Sequence, residues 1–189
     1  RPIRSEFDEE REAAREDVRL FAIFFDDYHV RFENAVRLRE ALINFISTQL
    51  GPLDMVSVMY PLTPLDAVQM TRNHDSIVAA IERFEGRKYE YEPRNQFEQQ
   101  YANYPTSVVE RIRNEVSLSG LRALVTHLGG LREGRKALIL VSEGYTNYLP
   151  PQLRDRYAGV PEFGNQNQLN PLAGDGPLEQ MSAMSAALD

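Results

Sequence analysis

The pattern of apolar positions predicts strands that alternate with helices from Leu20 onward. The run LFAIFF at residues 20–25 is apolar throughout and has the length of a strand, which is typical of a strand buried on both faces of a parallel sheet. A second apolar run, ALILV at residues 137–141, precedes a polar Ser-Glu-Gly sequence. Both runs predict central strands, and the segment DMVSVMY at residues 54–60 predicts another strand of the same sheet.

Apolar residues at three- and four-residue spacing predict helices between these strands. Gly51-Pro52 stops the first helix, and Asn73 is a capping residue for the second. After the strand at residues 54–60, a short extended segment at residues 66–70 is near enough to return as an antiparallel edge strand. The predicted fold class is therefore α/β, with helices on both faces of an open, mostly parallel sheet. The three long helical patterns cover residues 30–50, 74–84 and 108–128.

Three segments lack a sustained period and divide the chain into a leader and one domain. Residues 1–19 mix both charge signs and predict a solvated helix or a linker, so that the domain spans residues 20–189. Residues 87–105 form a polar, tyrosine-rich insertion on the surface. Residues 145–176, rich in proline and glycine, predict a long loop over the carboxyl edge of the sheet. A helix at residues 177–189 with no strand after it predicts that the closing strand or strands belong to a longer chain.

Composition excludes several classes of function. The chain has 189 residues, 21 Lys+Arg against 28 Asp+Glu, and a net charge of −7, so its surface repels the phosphates of nucleic acids. Cysteine is absent, which excludes a disulfide framework, a thiolate zinc site and a thiol nucleophile. No apolar run approaches the roughly 18–20 residues that cross a bilayer. The partner is therefore expected to be a protein or a second copy of this chain.

Acidic residues follow the two most apolar strands. Asp26-Asp27-Tyr28-His29 comes directly after the first strand, and Ser142-Glu143-Gly144 after the last. Ligands of open α/β sheets bind beyond the carboxyl ends of the strands. If the two strands are neighbours, their carboxylates converge in an oxygen-rich site for Mg²⁺ or Ca²⁺. Alternatively, an aspartate caps the following helix and Glu143 belongs to a turn.

The same segments carry a resemblance to a known family. FAIFFDDYHVRFENAVRLREALINFI, GPLDMVSVMYPLTPLDAVQMTRNHDSIVAAIERF and LSGLRALVTHLGGLREGRKALILVSEG resemble a von Willebrand factor type A domain, and specifically the bacterial VWFA-related group common in acidobacterial genomes. The resemblance covers about residues 17–144. It implies a doubly wound, Rossmann-like sheet with one antiparallel edge strand, which the segment at residues 54–70 supplies.

The resemblance also implies a degenerate metal-ion-dependent adhesion motif. Asp26 matches the acid of the family's Asp-x-Ser-x-Ser, whereas Tyr28 and Val30 stand in place of its two serines. The family's threonine corresponds to Ser117 or Ser119, and the sequence does not distinguish between them. The family's final Asp-Gly is replaced by Glu143-Gly144 after Ser142. The metal ligands that the resemblance and the strand ends imply together are Asp26, Asp27, His29, Ser117 and Glu143.

Three functions follow from these observations. The first is a non-enzymatic, protein-binding module of a larger extracytoplasmic protein, a location that the resemblance alone implies. Its binding face lies at the carboxyl edge of the sheet, with Tyr28, His29 and Tyr145 as partner-contacting residues. The second is a metal-dependent phosphohydrolase in which Asp26 is the nucleophile. The third is a structural domain that binds no ligand and assembles with copies of itself.

Overall fold

The described part of the chain folds as parallel strands with helices on both faces. A computed structural model describes residue 3 and residues 6–131 and 136–145. Within these residues, an open, all-parallel sheet has the strand order β2-β1-β3, which confirms the predicted α/β class. The strands are β1 (Leu20–Phe25), β2 (Met55–Met59) and β3 (Lys136–Val141). The helices are α1 (Glu6–Ala13), α2 (Phe32–Gln49), α3 (His74–Glu82), α4 (Gln96–Gln99) and α5 (Thr106–Leu131).

The central strand β1 divides the core into two apolar layers because successive side chains of a strand point to opposite faces. Ala22 and Phe24 pack with residues of α5, whereas Ile23 and Phe25 pack with residues of α2 and α3. The Phe25 ring also stacks on the ring of Phe84, with centroids 4.3 Å apart. Burial on both faces explains why residues 20–25 are apolar without alternation.

The predicted antiparallel edge strand at residues 66–70 is replaced by a turn. Leu65–Ala67 forms a 3₁₀ helix, and the antiparallel pairing that the structure shows is a single bridge between Val56 and Thr71. Val68 and Met70 insert their side chains into the core beside α5. Because the chain turns there before it enters the core, it meets β2 at one residue and does not run alongside it.

Two helices differ from the sequence-based expectations. Helix α5 continues through Gly129-Gly130 and ends at Leu131. In the leader, which was expected to be solvated, helix α1 packs against the core because Ala13 and Val18 are buried there. The buried Glu9 carboxylate accepts a hydrogen bond of 3.0 Å from the N–H of Met70. The leader therefore contacts the domain directly.

The pairing of β1 with β3 brings the two acidic strand ends to one edge of the sheet. Phe25 pairs with Val141, and the N–H of Asp26 donates to the Val141 carbonyl at 3.0 Å. Of the predicted loop at residues 145–176, Tyr145 lies within the described part, whereas residues 146–176 and the predicted helix at 177–189 lie outside it. Among the described helices, none is long and apolar enough to cross a membrane.

Candidate functional site

A hydrogen-bonded cluster is buried at the carboxyl ends of β1 and β3. At its centre, the fully buried Asp26 carboxylate accepts hydrogen bonds from Ser117 Oγ at 2.7 Å and Ser142 Oγ at 2.8 Å. Ser142 follows β3 and Ser117 lies on α5, so three elements meet at one carboxylate. We call this group the carboxyl-edge cluster, and its members are Asp26, His29, Asn114, Ser117 and Ser142.

The imidazole of His29 fills the space between Asp26 and α5. Its Nδ1 atom lies 2.7 Å and 2.9 Å from the two carboxylate oxygens of Asp26, and its Nε2 atom lies 2.7 Å from Asn114 Oδ1. His29 is 0% exposed, and the ring of Tyr145 contacts it at a centroid distance of 4.7 Å. Burial also raises the pKa of the Tyr145 hydroxyl, and the Asp26 carboxylate raises it further.

The structure distinguishes between the two candidate serines of α5, Ser117 and Ser119. Ser117 is completely buried and reaches Asp26, whereas Ser119 lines an open groove of about 320 Å³ between α5 and the turn after β2. Sequence reasoning missed Asn114, although it lies three residues before Ser117 and hence on the same face of the helix. On the inward-facing side of α5, apolar residues give way to polar ones near Asn114. This change along the helix is the sequence signal that identifies Asn114.

Asp27 does not join the carboxyl-edge cluster. Its carboxylate lies 3.2 Å from Nε of Arg87. Burial raises the pKa of Asp27 to about 6, because it outweighs the attraction of the Arg87 guanidinium. Asp27 therefore belongs to a second buried group, which we call the arginine cluster. Its members are Asp27, Tyr28, Arg87, Glu98 and Arg113.

In the arginine cluster, Tyr28 lies between two guanidinium groups. The guanidinium carbons of Arg87 and Arg113 lie 4.9 Å and 4.8 Å from the centre of its ring. Its hydroxyl donates to Glu98 Oε1 at 2.9 Å, and Arg87 pairs with the same oxygen. Burial by itself raises the pKa of Glu98, but hydrogen bonds from Arg87, the Arg94 N–H and Tyr28 lower it below its usual range. Tyr28 and His29 thus contact neighbouring residues of this chain and are buried.

The tyrosine-rich insertion covers this edge of the sheet. Residues 87–105, which we call the cover segment, pair with the chain after β1, because the N–H groups of Arg87 and Lys88 donate to the carbonyls of Asp27 and Val30 at 2.7 Å and 2.9 Å. Arg87, Glu98 and Tyr101 of this segment are buried. Its exposed aromatic side chains are Phe97, at 40%, and Tyr104, at 55%.

Glu143 also turns away from Asp26. Its carboxylate accepts hydrogen bonds of 2.8 Å from the N–H of Arg31 and 2.7 Å from Asn34 Nδ2, and Lys88 Nζ lies 3.3 Å away. Burial by itself raises the pKa of Glu143, but the hydrogen bonds from Arg31 and Asn34 and the charge of Lys88 lower it to about 2. Glu143 therefore joins the end of β3 to the first turn of α2.

The lowered pKa of Glu143 predicts a loss of stability in acid. The ionised carboxylate stabilises the fold above its ordinary pKa of 4.5, and this contribution disappears as the pH falls towards about 2. We expect Glu143→Gln to reduce the free energy of unfolding at neutral pH by about 1–2 kcal/mol. In urea unfolding followed by circular dichroism, the difference between parent and variant should shrink through this pH range. A difference that stays constant down to about pH 2 contradicts the prediction.

Part of the predicted metal-ligand set comes together. Asp26, His29 and Ser117 share the carboxyl-edge cluster, whereas Asp27 pairs with Arg87 and Glu143 with Arg31 and Lys88. In the part of the chain that the structure describes, no three His, Cys, Asp or Glu side chains are grouped as metal ligands. The residues that suggested a cation site are thus divided among the carboxyl-edge cluster, the arginine cluster and the separate contacts of Glu143.

Comparisons of the chain with protein-family models, with curated proteins and with solved structures give no match. The resemblance to type A domains therefore rests on the sequence segments that suggested it.

Proposed function

We propose that this chain is a non-enzymatic, protein-binding module of the von Willebrand factor type A kind. In this proposal it belongs to a larger extracytoplasmic protein and contacts its partner at the carboxyl edge of the sheet. The exposed aromatic surface of the cover segment is the observation that carries the proposal. Phe97 and Tyr104 are 40% and 55% exposed, and the exposed guanidinium of Arg94 belongs to the same segment.

This combination of residues favours a protein partner. Aromatic side chains and arginine are enriched in the centres of protein interfaces, where they bury large areas and supply most of the binding energy. Beneath the exposed aromatics, Tyr28, Arg87 and Glu98 hold the cover segment to the domain. A surface supported in this way loses little conformational entropy when a partner binds.

The state of Asp26 favours binding over hydrolysis. A nucleophilic carboxylate must reach the phosphorus atom of its substrate with a free oxygen. Asp26 is 0% exposed, and both of its oxygens accept hydrogen bonds from side chains of the carboxyl-edge cluster. A phosphohydrolase that uses Asp26 would require this cluster to open.

Site-specific photocrosslinking tests the proposal. Phe97 and Tyr104 are each replaced by p-benzoylphenylalanine, and Phe7 of α1, which is 70% exposed, receives the same group as the matched control. Each protein is irradiated with an envelope-protein extract from the source cell. We expect one discrete heterologous product from positions 97 and 104 and not from position 7.

Competition shows whether the product reflects specific binding. Unlabelled parent domain should suppress the product, whereas a Phe97→Ser, Tyr104→Ser domain should need at least about thirtyfold more protein, because two aromatic anchors of more than about 1 kcal/mol each contribute more than about 2 kcal/mol together. Equal products from all three positions contradict the proposed surface. A product that consists of two copies of this chain contradicts a heterologous partner and supports the self-assembling alternative.

A further inference from the structure

A divalent cation does not fit the carboxyl-edge cluster, although its residue types predicted one. Mg²⁺ and Ca²⁺ require about six or more oxygen ligands, usually with several carboxylates or waters among them. The cluster offers the carboxylate of Asp26, and its oxygens already accept hydrogen bonds from Ser117 and Ser142. The neighbouring acids Asp27 and Glu143 are neutralised by Arg87, Arg31 and Lys88.

We infer that the side chain of His29 takes the place of the cation, so that the domain keeps this edge of its sheet in order without a metal. The Nδ1 atom lies within 2.9 Å of both oxygens of Asp26. A carboxylate only accepts hydrogen bonds, so Nδ1 must be the donor. The opposite nitrogen meets Asn114 Oδ1 at 2.7 Å, and the ring thereby connects the end of β1 to α5.

Backbone hydrogen bonds also fix the position of His29. The N–H of His29 donates to the Asp26 carbonyl at 3.0 Å, and the His29 carbonyl accepts from the N–H of Glu143 at 3.0 Å. Both strand ends therefore hold this residue. The ring of Tyr145 also contacts the imidazole edge-to-face.

The charges around the cluster are consistent with this role. A buried carboxylate is costly unless donors or a positive group compensate it. Arg31 and Arg87 are engaged with other acids, since Arg31 pairs with Glu143 and Arg87 pairs with Asp27 and Glu98. His29 supplies Asp26 with its nitrogen donor. The inference extends the proposed function, because partner binding is then independent of divalent cations.

Paramagnetic broadening tests the inference on the parent protein. Mn²⁺ is titrated into ¹⁵N-labelled protein, and the amide signals of Ser117, Ser142 and Tyr145 are followed. We expect these signals to keep their intensity when Mn²⁺ is equimolar with the protein. Their selective, saturable loss, reversed by a chelator, overturns the inference whether or not the chain binds a partner, so the outcome is separate from that of the proposed function. Broadening confined to other signals supports it.

A variant without the His29 imidazole should be less stable and should be stabilised by an added ligand that fills the vacated space. His29→Ala leaves Asp26, Asn114 and the two serine hydroxyls around an empty space, and we expect its thermal unfolding midpoint to fall. Free imidazole should then raise that midpoint by about 5 °C, the size that mass action gives for a ligand well above its Kd. The parent and a His74→Ala control should show no such shift.

The alternative results contradict the inference. If His29→Ala is as stable as the parent and responds to no added ligand, the imidazole fills no essential position. If the parent itself gains stability with Mg²⁺ and the Asp26→Asn variant does not, the cluster is a metal site. Should His29→Ala fail to fold, His29→Gln retains a side-chain N–H donor, and its response to the same ligands is compared with that of the parent.

Discussion

Glu98→Gln is expected to lower the free energy of unfolding by about 3 kcal/mol. Loss of one partner of a buried ion pair costs about 3–5 kcal/mol, because the remaining charge stays buried and uncompensated. The lower end applies here because Arg87 keeps Asp27 as a second partner at 3.2 Å. Glutamine keeps only one acceptor oxygen, so its NH₂ group must face either the N–H of Arg94 on one side or the hydroxyl of Tyr28 and the guanidinium of Arg87 on the other.

Glu85→Gln is the matched control for this change. Glu85 pairs with Arg94 at 3.3 Å, but both side chains are about half exposed, and exposed pairs contribute about 0–1 kcal/mol. Urea unfolding at neutral pH should therefore separate the two variants clearly. Equal, small effects of both substitutions would show that the arginine cluster does not hold the cover segment to the domain.

Gly86→Ala is expected to cost about 3 kcal/mol or more. A Cβ atom at this position lies 2.7 Å from the carbonyl carbon of Val30 and 2.9 Å from the carbonyl oxygen of Arg31. Both are backbone atoms, which cannot turn away as a flexible side chain does. Overpacking usually costs about 1–3 kcal/mol, and a clash with rigid backbone belongs at the upper end of this range.

The effect of Gly86→Ala should extend to the carboxyl-edge cluster. The residues after Gly86 pair through their backbone with Asp27 and Val30, and these flank His29. Displacement of Arg87 and Lys88 should therefore weaken the contacts of the His29 imidazole with Asp26 and Asn114. Loss of slow amide exchange at His29 and Glu143, measured by hydrogen exchange, would report this directly.

Gly130→Ala provides the comparison for the glycine substitution. Gly130 lies in α5, is exposed, and has no atom within 4 Å of an added Cβ. Alanine in a helix is favoured over glycine by up to about 1 kcal/mol, so this variant should be as stable as the parent or more stable. If Gly86→Ala and Gly130→Ala change the free energy of unfolding equally, the close backbone approach at Gly86 does not cause the instability of the Gly86→Ala variant.

The apolar pattern by itself determined the elements of the sheet and the long helices. Strands β1, β2 and β3 and helices α2, α3 and α5 all follow apolar runs or helical spacings of the sequence. This was possible because the period of buried side chains is a local property of each element. The same reasoning led to Asp26, because a polar residue directly after a buried strand must lie at the edge of the sheet.

The tertiary structure alone decided which polar groups are partners. The sequence placed Asp26, Asp27 and Glu143 together in one candidate ligand set. In the structure, Asp26 faces a histidine, Asp27 an arginine, and Glu143 the first turn of α2 with a lysine. Sequence reasoning also missed the burial of Arg113 and Asn114, which continue the inward-facing side of α5 as polar residues. Hydrogen bonds and ion pairs join residues as far as 116 positions apart. Their choice depends on which strands are neighbours and what covers them, and a local pattern of residues does not contain that information.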